Sequence, residues 1–221
     1  SRCETENNNF LPGKLYVVEG CDGSGKSTQI YLLDKWLKSE GYSVFFTEWN
    51  SSQLIRESTT EAKKKDLLTP TTFSLMHASD FADRYEKLIL PQLRAGYIVL
   101  CDSEWVKNAY SFAVRPDIIF YFKTSLEISL RRILVGRLHL EYHEAGMDMG
   151  FSSDPIESFK IFQGIIKKHY DDMAEEEGFT IIDASESIEV QQNIVRKIVK
   201  DNLKGYSPPC KFLHEREVPE T

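Results

Sequence analysis

The 221 residues, 41% of them hydrophobic, suffice for one α/β domain with a well-buried core. A formal net charge of −7 argues against broad, non-specific binding to DNA or RNA. No apolar run approaches the length of a membrane span and the polar stretch Ser1–Asn9 lacks a signal-peptide core, so the expectation is no nucleic-acid partner, no membrane and a cytoplasmic location.

Residues 1–13 read as a polar tail, and Leu15–Glu19 as a buried strand within the run Lys14-Leu15-Tyr16-Val17-Val18-Glu19. Gly20-Cys21-Asp22-Gly23-Ser24-Gly25-Lys26-Ser27-Thr28 follows and fits G-x-x-x-x-G-K-[ST], the phosphate-binding P-loop. Glycines at 20, 23 and 25 free the backbone to aim its N–H groups inward at phosphate oxygens. The helix that follows, Lys26–Glu40, adds the partial positive charge of its N-terminus. Lys26 is placed to reach the β- and γ-phosphates, and Ser27 to offer its hydroxyl to Mg²⁺.

Ser43–Thr47 is the second strand, Gln53–Lys65 a polar helix, and Pro70 opens a long helix that Pro91 and Gly96 end. Tyr97–Asp102 is a buried strand closing on an acid, and Glu104–Ala113 a short helix. Asp117–Phe122 is the fourth strand, Ser125–Val135 a helix, and Gly136–Ser153 an irregular stretch that reads as a lid. Ser153 or Asp154 caps a helix that buries Ile156, Phe159, Phe162, Ile166, Tyr170 and Met173. Phe179–Ile182 is the last strand, Ile188–Leu203 the last helix, and 205–221 a polar tail or linker after a domain of residues 14–204. The alternation predicts a parallel sheet covered by helices on both faces.

A P-loop fixes a nucleoside triphosphate without saying what happens to it. Asp102, at the carboxyl end of a strand, sits where α/β ligands bind, suited to orienting a Mg²⁺ water or acting on an acceptor. Arg131, Arg132 and Arg137 stand at the start of the lid, where they stabilise charge spread over a transferring phosphoryl group; Arg137 is the best lid candidate. Asp22 places a carboxylate beside phosphates, which suits a second ligand such as an acceptor sugar hydroxyl. Cys3, Cys21, Cys101 and Cys210 are widely spaced and form no zinc or disulfide pattern; Cys21 and Cys101 read as small, partly buried residues. His139 and His143 flank Glu141 and read as solvated loop residues.

In these features the chain resembles the thymidylate kinase family of nucleoside monophosphate kinases. The resemblance rests on Glu19-Gly20-Cys21-Asp22-Gly23-Ser24-Gly25-Lys26-Ser27-Thr28-Gln29, Leu75-Met76-His77-Ala78-Ser79-Asp80, Ile89-Leu90-Pro91-Gln92-Leu93-Arg94-Ala95-Gly96, Val99-Leu100-Cys101-Asp102 and Arg115-Pro116-Asp117-Ile118. It covers roughly residues 14–200 and implies a P-loop NTPase fold with a five-stranded parallel core, ATP and Mg²⁺, transfer of the γ-phosphoryl group to dTMP, and a homodimer. It also implies that Asp22 contacts the acceptor sugar, Phe73 stacks on its base, Asp102 aligns the centre and Arg137 serves as lid arginine. The loop has no arginine of its own, which fits the branch that keeps this charge in the lid.

The chain departs from the family pattern at three places. Thr47-Glu48-Trp49-Asn50-Ser51 stands where the family has T-R-E-P-G, and Asp80-Phe81 where it has D-R or N-R. Glu48, Arg56 and Arg84 are then the substrate-side candidates, with Arg56 or Arg84 substituting for the missing arginine. Cys101-Asp102-Ser103 runs into Glu104-Trp105 where the family has D-R-Y and a substrate-covering stretch, and a segment omitted from the numbering is the expected reason. Two alternatives stand beside dTMP phosphorylation: a P-loop kinase for a different acceptor, and a nucleotide-binding regulatory module without turnover.

Overall fold

The computed structural model describes residues 11–48, 51–64, 69–102 and 113–207. Apolar runs bounded by turn residues become five strands: β1 (Lys14–Glu19), β2 (Val44–Glu48), β3 (Ile98–Asp102), β4 (Ile118–Lys123) and β5 (Thr180–Asp183). They form one parallel sheet in the order β2-β3-β1-β4-β5. The helices are α1 (Lys26–Ser39), α2 (Arg56–Lys64), α3 (Pro70–Arg84), α4 (Leu90–Arg94), α5 (Leu126–Gly136), α6 (Pro155–Glu177) and α7 (Ile188–Asn202). The expected helix Glu104–Ala113 lies, but for its last residue, outside the described residues.

Successive residues of a strand face opposite sides, so β1 feeds two cores. Tyr16 and Val18 pack with Ile30, Leu33 and Leu37 of α1 and Val195 and Val199 of α7. Leu15 and Val17 pack with Phe81, Tyr85, Ile89 and Leu93 on the other side. A third group, around Tyr121, Tyr170 and Phe179, seats α6. Helices therefore cover both faces of the sheet, as the alternation predicts. Because β1 is central and its neighbours β3 and β4 lie on opposite sides, the loop after β1 opens at the point where the strand order reverses.

The long helix does not stop at Pro91. It passes through a π turn at Tyr85–Ile89 and ends at Arg94. Proline has no N–H for the carbonyl four residues back; the widened turn, in which Leu90 N–H bonds the Tyr85 carbonyl, accommodates it at the second position of α4. In α6, Asp154 is the cap, its carboxylate accepting from Glu157 N–H at 2.7 Å. Phe159 and Tyr170 are buried as expected, but Ile156 is 42% exposed, because it sits in the first turn before α6 reaches the core.

Both ends of the described chain fasten to one turn. Gly13 N–H donates to the Leu93 carbonyl at 2.9 Å and Lys14 N–H to the Tyr97 carbonyl at 3.1 Å. The Tyr206 hydroxyl donates to the Gly96 carbonyl, and its ring packs on Tyr42, so ordered packing runs past residue 204. This turn precedes β3, at the edge of the sheet opposite the loop after β1. Among the described residues no helix is long and apolar enough to cross a membrane.

Candidate functional site

The site begins at the N-terminus of α1. Thr69, Ser125, Asp154 and Ser187 cap α3, α5, α6 and α7 with their side chains. No side chain caps α1: its N-cap is Gly25, at φ 91°. A helix end without a cap directs its N–H groups and its partial positive charge at whatever anion arrives. Gly23, at φ 74°, lies so close to α5 that an added Cβ would stand 2.5 Å from the Ser129 carbonyl oxygen. The loop is thus seated on α5, while Gly25, Ser27 and Thr28 face solvent.

Charge around the loop is arranged by its neighbours. Lys26 Nζ lies 3.8 Å from Asp22 Oδ1. The guanidinium of Arg132 donates to the Ser24 carbonyl at 3.2 Å and to the Ala184 carbonyl at 2.8 Å, so this arginine braces the loop against the turn after β5. Cys21 and Ser24 are buried and form the inner wall; Gly20 turns the chain away from β1.

Asp102 ends β3 in register with Val18 and with Glu48 at the end of β2. Burial pushes its carboxyl above the usual carboxylate range, and Glu48 and Asp22 push the same way against the opposing Lys26 ammonium. Among the described residues no three His, Cys, Asp or Glu side chains close on one point. Ser27 is exposed on the first turn of α1, on the solvent side of the loop.

The lid follows α5. Arg137 leaves that helix and bonds Glu141 at 2.5 Å and also Glu144. Burial pushes the Glu144 carboxyl up, opposed by its hydrogen bond from Glu141 N–H and by Arg137, while Asp22 pushes up further. His143 is not the solvated loop residue expected. Its ring lies parallel to Phe73, at 11° and 6.1 Å between centroids, with Nδ1 3.6 Å from Asp148.

The substrate-side candidates part company. Phe73 is half-buried on α3 and faces the lid through His143. Glu48 and Arg56 are exposed near the ends of β2 and α2. Arg84 is 1% exposed, so the structure places it beneath the site rather than at an acceptor phosphate. Its Nε donates to Asp80 Oδ2 at 2.7 Å and its Nη1 to Thr47 Oγ1 at 3.2 Å. Asp80 Oδ1 accepts from Ser52 N–H at 3.0 Å, and Ser52 Oγ donates to Asp83 at 2.6 Å. The pair therefore holds the segment after β2 against α3. The spacing Asp80-x-x-x-Arg84 on a helix was the available signal. Sequence reasoning also missed Gln163 and Glu144, whose partners lie on distant segments.

The thymidylate kinase family profile matches residues 18–104. The chain is 41% identical over 210 residues to a protein described as probable thymidylate kinase 2 of Saccharolobus solfataricus, covering 87% of this chain and 98% of that protein. It is 32% identical over 151 residues to a probable thymidylate kinase of Thermococcus kodakarensis, covering 57% of this chain and 74% of the other. A probable thymidylate kinase of Caldivirga maquilingensis is 29% identical over 208 residues, covering 85% and 94%. The 210 positions of the first comparison exceed 87% of 221 residues, so that relative carries residues with no counterpart here. The profile match stops at Glu104, beside the junction after Asp102. The junction where an omitted segment is expected falls at residues 103–105, which the described residues do not test. The structure at 103–112 lies outside the described residues.

Two outcomes follow from this geometry. Asp80→Ala strands the buried Arg84 charge and lowers unfolding stability by about 3–5 kcal/mol in urea titration, whereas Asp80→Leu combined with Arg84→Met recovers most of that loss. Burial pushes the Cys21 and Cys101 thiols from 9.0 to about 11, so neither is a redox-sensitive thiolate at neutral pH. Iodoacetamide at neutral pH leaves both unmodified in the folded protein, as read by peptide mass. The folded chain holds these protons more tightly, so their contribution to stability is intact below 9.0 and falls as pH rises toward about 11.

Proposed function

We propose, for a chain that belongs to the thymidylate kinase family, that it transfers the γ-phosphoryl group of ATP to a nucleoside monophosphate, converting dTMP to dTDP. The observation that carries the phosphoryl-transfer reading is the uncapped N-terminus of α1 behind the left-handed Gly25, with Lys26 beside it. In this reading Gly20 through Thr28 cradle the triphosphate, and Lys26 exchanges Asp22 for the β- and γ-phosphates. Asp22, so released, faces the acceptor sugar, and Phe73 takes the base on its ring. Ser27 and Asp102 would hold Mg²⁺, which would supply positive charge against the charge that develops on the phosphates. Arg132 keeps the loop in shape through its two carbonyls. Arg137 leaves the exposed Glu141 for the transferring phosphoryl group, a stronger partner.

A different acceptor is the second reading, supported by one observation: Arg84 is held in the buried pair and does not supply the missing acceptor-phosphate arginine. A homodimer and a cytoplasmic location belong to the main proposal. Leu75 is 64% exposed on α3, apolar surface that a second copy would cover.

Lys26→Ala is expected to lower turnover at least a hundredfold in a coupled ADP-release assay, with circular dichroism and melting temperature unchanged. In the same assay over a panel of acceptors, dTMP gives the highest kcat/KM. Turnover only with another compound favours the second reading, and ATP binding without acceptor-stimulated turnover rejects the kinase.

A further inference from the structure

We propose that Gln163 is a positioning residue that couples the P-loop carboxylate Asp22 to the lid arginine Arg137; the catalytic meaning of this coupling rests on the kinase reading above. Gln163 lies on α6 and is 1% exposed. Its Nε2 donates to Asp22 Oδ2 at 3.1 Å and to the Glu144 carbonyl oxygen at 3.2 Å. Its own backbone carbonyl accepts from the Cys21 thiol at 4.0 Å. One residue thus touches the loop at two places, by its side chain and by its backbone, and the lid at a third.

From Glu144 the connection continues. The Glu144 carboxylate takes Arg137 and the backbone N–H of Glu141. On the other side, the second oxygen of Asp22 faces Lys26 Nζ at 3.8 Å. Lys26, Asp22, Gln163, Glu144 and Arg137 form one line from the phosphate cradle to the lid. The lid is pressed against α6 at this point: a Cβ on Gly146, at φ 63°, would stand 2.5 Å from the Phe162 ring. Moving the Glu144 carbonyl therefore moves against packing, not through open solvent.

The chemistry selects an amide. Both partners of Nε2 are acceptors, so only a group with two N–H donors serves them together. A carboxylate would repel Asp22, and an apolar side chain would leave a buried acceptor without a donor. The Oε1 of Gln163 is buried without a hydrogen-bond partner, so the side chain is oriented by its donors alone. When phosphate draws Lys26 away, Gln163 remains the group that keeps Asp22 aimed at the acceptor and registers the lid with it.

The test uses the full chain with Gln163→Met and the near-isosteric Gln163→Glu. Hydrogen exchange of residues 137–150 is read with and without a non-hydrolysable ATP analogue, alongside steady-state kinetics. Wild type gains lid protection when the analogue binds; both variants bind it with a Kd within about threefold of wild type and lose that gain. With acceptor present, kcat falls about ten- to a hundredfold, the scale of one hydrogen bond to a carboxylate, while the KM for ATP stays within about threefold. Pairing either variant with Arg137→Lys costs less than the two losses multiplied, as for residues acting as a unit. A variant that keeps the lid protection, or losses that multiply independently, overturns the coupling. Absence of wild-type turnover with every acceptor rejects the kinase reading instead, and the exchange measurement still decides the coupling.

Discussion

The whole site depends on a helix that starts without a cap. Four other helices of this chain close their first turn with a serine, threonine or aspartate side chain. In α1 that position is glycine in the left-handed region, which leaves the donors and the helix field for a ligand. Such an end contributes less to folding than a capped one. The surrounding structure compensates: β1 is central and flanked by two strands, α1 packs into the larger core, and Arg132 grips the loop from α5. The anion-binding end is held from behind by apolar packing and from the side by hydrogen bonds to carbonyls, neither of which uses the groups that phosphate needs.

Buried polarity elsewhere sets positions. The Asp80–Arg84 pair sits in a nearly dry region where two charges are costly to desolvate, so its value lies in the geometry it fixes. Thr47 and Ser52 both bond to it, which ties the segment after β2 to α3, the helix that also carries Phe73. At the carboxyl end of β3, Asp102 instead stands among the charges of Lys26, Glu48 and Asp22. The contrast separates a buried charge network that holds shape from one beside the loop after β1.

The strands were legible because each is an apolar run with a clear boundary, and every one falls within about a residue of its reading. The P-loop was legible because its spacing is itself the geometry. The lid stretch was marked by its glycines, although nothing there signalled that His143 would face Phe73. Pro91 misled, because a proline inside a helix normally stops it and the compensating π turn has no sequence signature. Arg84 misled differently: a basic residue near a substrate site suggests a ligand, yet an acid four residues earlier on the same helix had already claimed it. Gln163 left no trace. Its two acceptors come from the P-loop and the lid, and only the folded chain brings those segments to one amide.

The turn before β3 is grasped by the chain on its way into β1 and by Tyr206 after α7. Entry and exit of the described chain therefore share one pole of the sheet, and the loop after β1 lies at the other. Gly13 and Tyr206 thus clamp the chain on the side away from the loop after β1, so strain at that clamp reaches the loop only through the length of the sheet.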